Sequence, residues 1–142
     1  MSNPPEYGPP LTLAQAKTAM AAAEAHALAN GWPMVIAIVD SGGNLVMLHR
    51  MENAQLGSLE IAPGKAVTAV KFKRATKAFQ DLVAQGGGQL RILAMPGVTP
   101  LEGGVCVFSG GKIIGAIGVS GMSSAQDAEV AEAGVKAIGA LG

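Results

Sequence analysis

The sequence predicts an α+β domain, an antiparallel sheet covered by helices on both faces. Two hairpin patterns carry that expectation. The run Met34–Val39 leads into Leu45–Leu48 across Asp40-Ser-Gly-Gly-Asn44, and Gly104–Phe108 leads into Lys112–Val119 across Ser109-Gly-Gly111. Segments of helical periodicity lie before, between and after the hairpins, so helices can form both outer layers. The strand Val35–Val39 is apolar at every position, which requires cover on both sides.

Residues 1–10 include Pro4, Pro5, Pro9 and Pro10 and cannot be helical, so a flexible, extended arm is expected ahead of a single domain over residues 11–142. Thr12 can cap an Ala-rich helix from Leu13 to Asn30, with Asn30-Gly31 as its stop and Pro33 just beyond. Gly57 to Gln85 has no strand pattern and spaces its apolar residues at helical intervals. Two helices are predicted there, with Pro63 in the first turn of the longer one, where a missing amide hydrogen costs little. Gly86-Gly-Gly88 breaks the pattern, and residues 89–103, with Pro96, Gly97 and Pro100, read as a loop holding at most one short strand. A final helix is expected over about 124–141, opened by a capping box of Ser123 with Gln126 or of Ser124 with Asp127.

The composition narrows the function. The chain has 142 residues, 49% of them hydrophobic, enough for one domain that hides roughly two-thirds of its unfolded surface. Disorder is thereby excluded. Ten basic residues balance ten acidic ones, leaving no electrostatic footprint for nucleic acid or an anionic membrane. Only 14% of residues are charged, which leaves little polar surface for a monomer and points to a homo-oligomer. A single cysteine, Cys106, cannot form an intramolecular disulfide and reads as a core residue, and two histidines are too few for a structural zinc site. No stretch reaches the ~18 apolar residues of a membrane span, and Met1–Pro10 lacks the pattern of a secretory signal, so the expected compartment is the cytoplasm.

Several residues could carry chemistry. His49 and Arg50 follow the second strand and should emerge at a sheet end, where an imidazole can move a proton or bind a metal and a guanidinium can hold a carboxylate. An exposed strand end with an incidental ion pair is the plainer alternative. His26 lies on the first helix about 120° from the Leu13 and Met20 stripe, a position suited to the helix dipole or to an axial bond with haem iron. Lys65 is isolated among Ala62, Ala66 and Ala69 and follows Pro63-Gly64 at an expected helix start, where positive charge is unfavourable, which implies a partner or an anionic ligand. Glu102-Gly103-Gly104 opens a strand with a carboxylate and two small residues. Gly115-Ala-Ile-Gly-Val-Ser120-Gly121 runs through glycines toward Asp127, suiting either an anion or simple helix capping.

Read together, the segments Leu13–Trp32, Val35-Ile-Ala-Ile-Val-Asp40, His49-Arg50-Met51-Glu52, Lys65-Ala, Thr68-Ala, Gly103-Gly104 and Gly115–Gly121 with Gln126-Asp127 resemble the GlcG/HbpS family, which also includes the C-terminal domain of PduO-type proteins. The resemblance covers residues 11–141. It implies a profilin-like fold with a five-stranded antiparallel sheet between helical layers, and assembly into dimers or larger homo-oligomers. It also implies binding of haem or another tetrapyrrole, with His26 at the place of an axial histidine in PduO-type domains. The implied small-ligand pocket gathers His49, Arg50, Lys65, Glu102, Gly103, Gly104, Ser120, Gly121 and Asp127. One departure stands out: the family's Asp-Glu pair is Asp127-Ala128 here, which removes the second carboxylate.

Two functions follow. The first is a cytoplasmic small-ligand-binding protein, accessory to a catabolic pathway, that holds haem or a related tetrapyrrole. The second is a cofactor-independent isomerase, hydratase or decarboxylase of a small organic acid, with His49, Lys65, Glu102 and Asp127 moving protons. Placement separates them, because the enzyme needs His49, Arg50, Lys65 and a carboxylate to converge on one small polar pocket.

Overall fold

A computed structural model describes residues 3–142. The elements in chain order are α1 (Leu13–Asn30), β1 (Val35–Asp40), β2 (Leu45–Arg50), α2 (Ser58–Phe72), α3 (Lys77–Gln85), a 3-10 helix (Gly87–Ala94), β3 (Gly104–Ser109), β4 (Lys112–Ser120) and α4 (Ser124–Lys136). The strands form one antiparallel sheet in the order β2-β1-β4-β3.

Local sequence sets most of the boundaries. The Thr12 side chain accepts from the Gln15 amide at 3.1 Å, and the Gln15 side chain returns a bond to the Thr12 amide, closing the capping box that starts α1. Gly31 ends that helix at φ 71°, a left-handed conformation that glycine adopts without a Cβ penalty. In the first hairpin the Asp40 carboxylate accepts from the amides of Gly42 and Asn44, at 2.9 and 3.0 Å, and so fixes the turn. Ser123 caps α4 through its capping box with Gln126.

The two faces of β1 sort the layers. Met34, Ile36 and Ile38 pack against α1 and α4, among Ala16, Ala19, Ala23, Val130 and Val135. Val35 and Ala37 with Ala62, and Val39 with Ala66, Ala69 and Val70, pack on the α2 side. Each fully buried Ile or Val contributes about 1.5–3 kcal/mol through removal from water. Small residues let α2 lie close on β4. A Cβ at Gly118 would collide with the backbone of Ala62 and Ala66. We therefore expect Gly118→Ala to lower unfolding stability by about 1–3 kcal/mol in a urea titration, with the helix forced off the sheet.

Several expectations are corrected. The sheet has four strands among the described residues, and the five-stranded sheet is not formed. Residues 87–94 wind into a 3-10 helix, and residues 95–103, held by Pro96, Gly97 and Pro100, add no strand. Pro63 lies within α2 rather than in its first turn, because Glu60 and Ile61 already bond back to the Gly57 carbonyl at 3.3 Å. Burial of Ser58 and Ala62 against the sheet outweighs the roughly 3 kcal/mol that an interior proline costs. The last helix stops at Lys136, and Ala140 instead pairs with Phe108 on the outer edge of β3. Finally, the N-terminal segment is docked, not free. Glu6 and Gly8 bond to Ile113, the Tyr7 hydroxyl donates to the Val70 carbonyl at 2.7 Å, and Lys73 donates to the Pro5 carbonyl at 2.7 Å. Residues 1 and 2 lie outside the described residues.

Candidate functional site

Most of the residues singled out by sequence fall into two separate places, with Glu102 and His26 outside both. The first is a buried junction where α2, the end of β4 and the start of α4 meet. Lys65, 1% exposed, donates to the Asp127 carboxylate and to the Val119 carbonyl, each at 2.9 Å. The other Asp127 oxygen accepts from the Met122 amide at 3.0 Å. Burial raises the Asp127 carboxyl above its usual range, while the Lys65 bond and the backbone amides pull it back down. Lys65 thus has the anionic partner its apolar neighbourhood implied, and that partner belongs to the same chain. It sits in mid-helix, so its position owes nothing to a helix start.

Close packing seals this junction. A Cβ on Gly103 would lie 2.7 Å from both the Lys65 Nζ and the Val119 carbonyl, and one on Gly104 would strike the Lys65 backbone. Gly121 is held equally tightly against the Pro33 carbonyl and Met34. Ser120 shares a buried hydrogen bond of 2.9 Å with Ser58, which Gln55 extends by donating to Ser58 at 3.0 Å. Ser58 carried no signal in the sequence, since Ser120 is 62 residues away, and Gln55 reaches this pair only through Ser58. Glu102 stands apart from Lys65. Its amide is held by Gln80, and its charge acts on Lys77 at the start of α3. Lys65, Gly103, Gly104, Ser120, Gly121 and Asp127 line neither the grooves beside α1 and β2 nor the cavity beside β3.

The second place is open. His49 pairs in register with Ile36, so its side chain faces the α1 layer, where its Nδ1 is hydrogen-bonded to the Glu24 carboxylate. Glu24, Leu28, Arg50, Met51 and Glu52 line a groove of about 340 Å³. A neighbouring groove of about 270 Å³ shares Leu28, Met51 and Glu52 and is completed by Gly31, Trp32, Pro33 and Asn53. Leu28 is 68% exposed. The two grooves form one trough between the C-terminal half of α1 and the end of β2, walled by Leu28, Trp32 and Met51, with Arg50 as its cation.

His26 lies on the other side of α1. Residues 24 and 28 share a helix face, and residue 26 is about 200° from each. Its Nε2 bonds to Glu129 of α4 at 2.6 Å, and its ring stands 6.1 Å from that of Trp32. Glu24 and Trp32 are the trough residues that sequence reasoning missed. The pairing of Glu24 with His49 spans 25 residues and leaves no local pattern. His49 and Arg50 therefore do not converge with Lys65 and Asp127, and no hydrogen bond or ion pair joins the two places among the described residues. Cys106 is a core thiol, pushed up to about 12 by burial and bonded to the Ala69 carbonyl at 3.2 Å, as its apolar surroundings imply.

A helical layer on each face of an antiparallel β2-β1-β4-β3 sheet, with an open trough beside one edge strand, defines a class of α+β domain. The chain belongs to the family described as haem degrading protein HbpS-like, which it matches over residues 11–136. It is 39% identical over 110 residues to Protein GlcG of Escherichia coli strain K12, covering 78% of this chain and 81% of that protein. Among solved structures it is similar to HbpS, with a TM-score of 0.85 and 31% identity over 99% of this chain and 95% of that one. It is also similar to the PduOC:heme complex, with a TM-score of 0.83 and 34% identity over 91% of this chain and 95% of that one.

Proposed function

We propose that this protein binds haem or a related tetrapyrrole in the trough between α1 and β2, with His49 as the axial ligand. The observation that carries this reading is the His49–Glu24 pair at the trough's edge. A metal-binding imidazole commonly gives its second nitrogen to a carboxylate, which fixes the ring and raises its basicity. Here Nδ1 is held by Glu24, a trough-lining residue, and Nε2 is the remaining nitrogen. The donor set fits the group. Leu28, Trp32 and Met51 offer an apolar wall, Arg50 offers a fork for a propionate, and the groove of about 340 Å³ falls within the usual range of a ligand site. Bound haem would supply an iron centre able to take a further small ligand or an electron.

The relatives support the same ligand class, since one of the similar structures is a heme complex. The resemblance favours His26 as ligand, whereas its turn toward Glu129 favours His49. We place the protein in the cytoplasm as a homo-oligomer serving a catabolic pathway. No described helix is long and apolar enough to cross a membrane.

The single tryptophan provides the test, because Trp32 lines the trough. Titration with hemin should quench its fluorescence saturably at one equivalent per chain, and Leu28→Lys should weaken that quenching. Stoichiometric binding that leaves Trp32 emission unchanged would place the ligand elsewhere.

A further inference from the structure

A cavity of about 490 Å³ lies beside β3, the edge strand opposite β2, which carries His49. Val105, Cys106, Phe108 and Leu141 give it apolar walls, and Lys73 and Arg74 stand together on its rim. Neither cation is in an ion pair among the described residues. Lys73 uses one donor on the Pro5 carbonyl, and its ammonium lies 4.7 Å above the Tyr7 ring. Arg74 uses its Nε on the Phe72 carbonyl, which leaves its two terminal nitrogens for other partners. Gly142 closes one side.

Lys73 is also in an unusual conformation. It caps the C-terminus of α2 at φ 58°, a left-handed position where glycine is the usual residue and a side chain costs energy. Backbone chemistry alone therefore disfavours lysine here. Its side chain and that of Arg74 place two positive charges at the mouth of an apolar chamber.

We propose that this cavity binds a small amphipathic anion, a carboxylate on an apolar body, with Lys73 and Arg74 holding the carboxylate and the Val105, Phe108 and Leu141 walls holding the body. The site is distinct from the α1–β2 trough, with which it shares no lining residue.

Decanoate is a suitable probe, titrated into the full chain and followed by amide chemical shifts, with decyltrimethylammonium as the cationic control. Saturable shifts at Ala75, Val105 and Gly111 with decanoate, but not with the control, are expected. Arg74→Gln should weaken decanoate about tenfold or more, the usual effect of losing a charge-assisted hydrogen bond. Lys73→Gly should weaken it similarly, and because glycine suits that backbone the variant should stay folded despite losing the bond to the Pro5 carbonyl. Affinity unchanged within twofold in both variants, equal binding of the cationic control, or shifts confined to the trough would each overturn the proposal.

Discussion

Lys65→Met is expected to destabilise the fold by about 3–5 kcal/mol, more than Gly118→Ala, because it strands the Asp127 carboxylate in a site from which water is excluded. Both side chains of the pair are almost fully buried, at 2% and 3% exposure, so solvent screening offers little relief. The Val119 carbonyl loses its donor as well. The double variant Lys65→Met, Asp127→Leu should recover most of the loss, since it removes both charges together. Urea titrations of the two single variants and the double variant measure the coupling directly. Additive losses would mean that the pair contributes nothing as a pair.

The pH dependence of that loss has a definite sign. Burial raises the Asp127 carboxyl in the folded state above its unfolded value, so the folded chain binds more protons in the window between the two. Stability attributable to this group therefore falls as pH rises through the window. Removing Lys65 deletes the bond that holds the carboxyl down, which raises it further and widens the window upward. The deficit of Lys65→Met should thus be greatest near neutral pH and shrink as pH falls and Asp127 takes up its proton. A deficit independent of pH would show that Asp127 stays ionised without its partner.

The second large effect is expected at His49. Replacing it with Ala should speed hemin release by at least about tenfold, since even partners one bond removed from a metal commonly contribute about 10–100-fold. Glu24→Gln keeps the ring in place but replaces the carboxylate with an amide, so its effect should be smaller and in the same direction. Transfer of hemin from each variant to excess apomyoglobin gives the release rates. Equal rates in wild type and His49→Ala would remove His49 from the site.

The parts of the fold that depend on short-range chemistry were legible. Thr12 with Gln15, Gly31, the Asp40 turn and Ser123 with Gln126 each act within about five residues, and each bounds its element as the sequence implies. Pro63 departs from its expected first turn because that local preference loses to the packing of Ser58 and Ala62 on the sheet. The missing fifth strand reflects the same limit. Residues 89–103 carry apolar positions, but residues 89–94 continue the 3-10 helix that begins at Gly87, and Pro96, Gly97 and Pro100 follow it without a strand.

The site was legible only as a set of residue types. Lys65 stood out because a charge among alanines needs a partner, yet Asp127 is 62 residues away and joined to it only by the fold. His26 and His49 are both plausible ligands by residue type alone. His49 meets Glu24, which lines the trough, and His26 meets Glu129 of α4, partners set by how α1 is rolled between α4 and β2, a tertiary property that a helical wheel does not contain.

The most direct measurement is the Soret absorbance of wild type, His26→Ala and His49→Ala titrated side by side with hemin. Haem binding in the α1–β2 trough predicts a saturable shift at one equivalent per chain in wild type and in His26→Ala, and its loss in His49→Ala. Retention of the full stoichiometric shift in His49→Ala, or weak binding without defined stoichiometry in all three proteins, would contradict it.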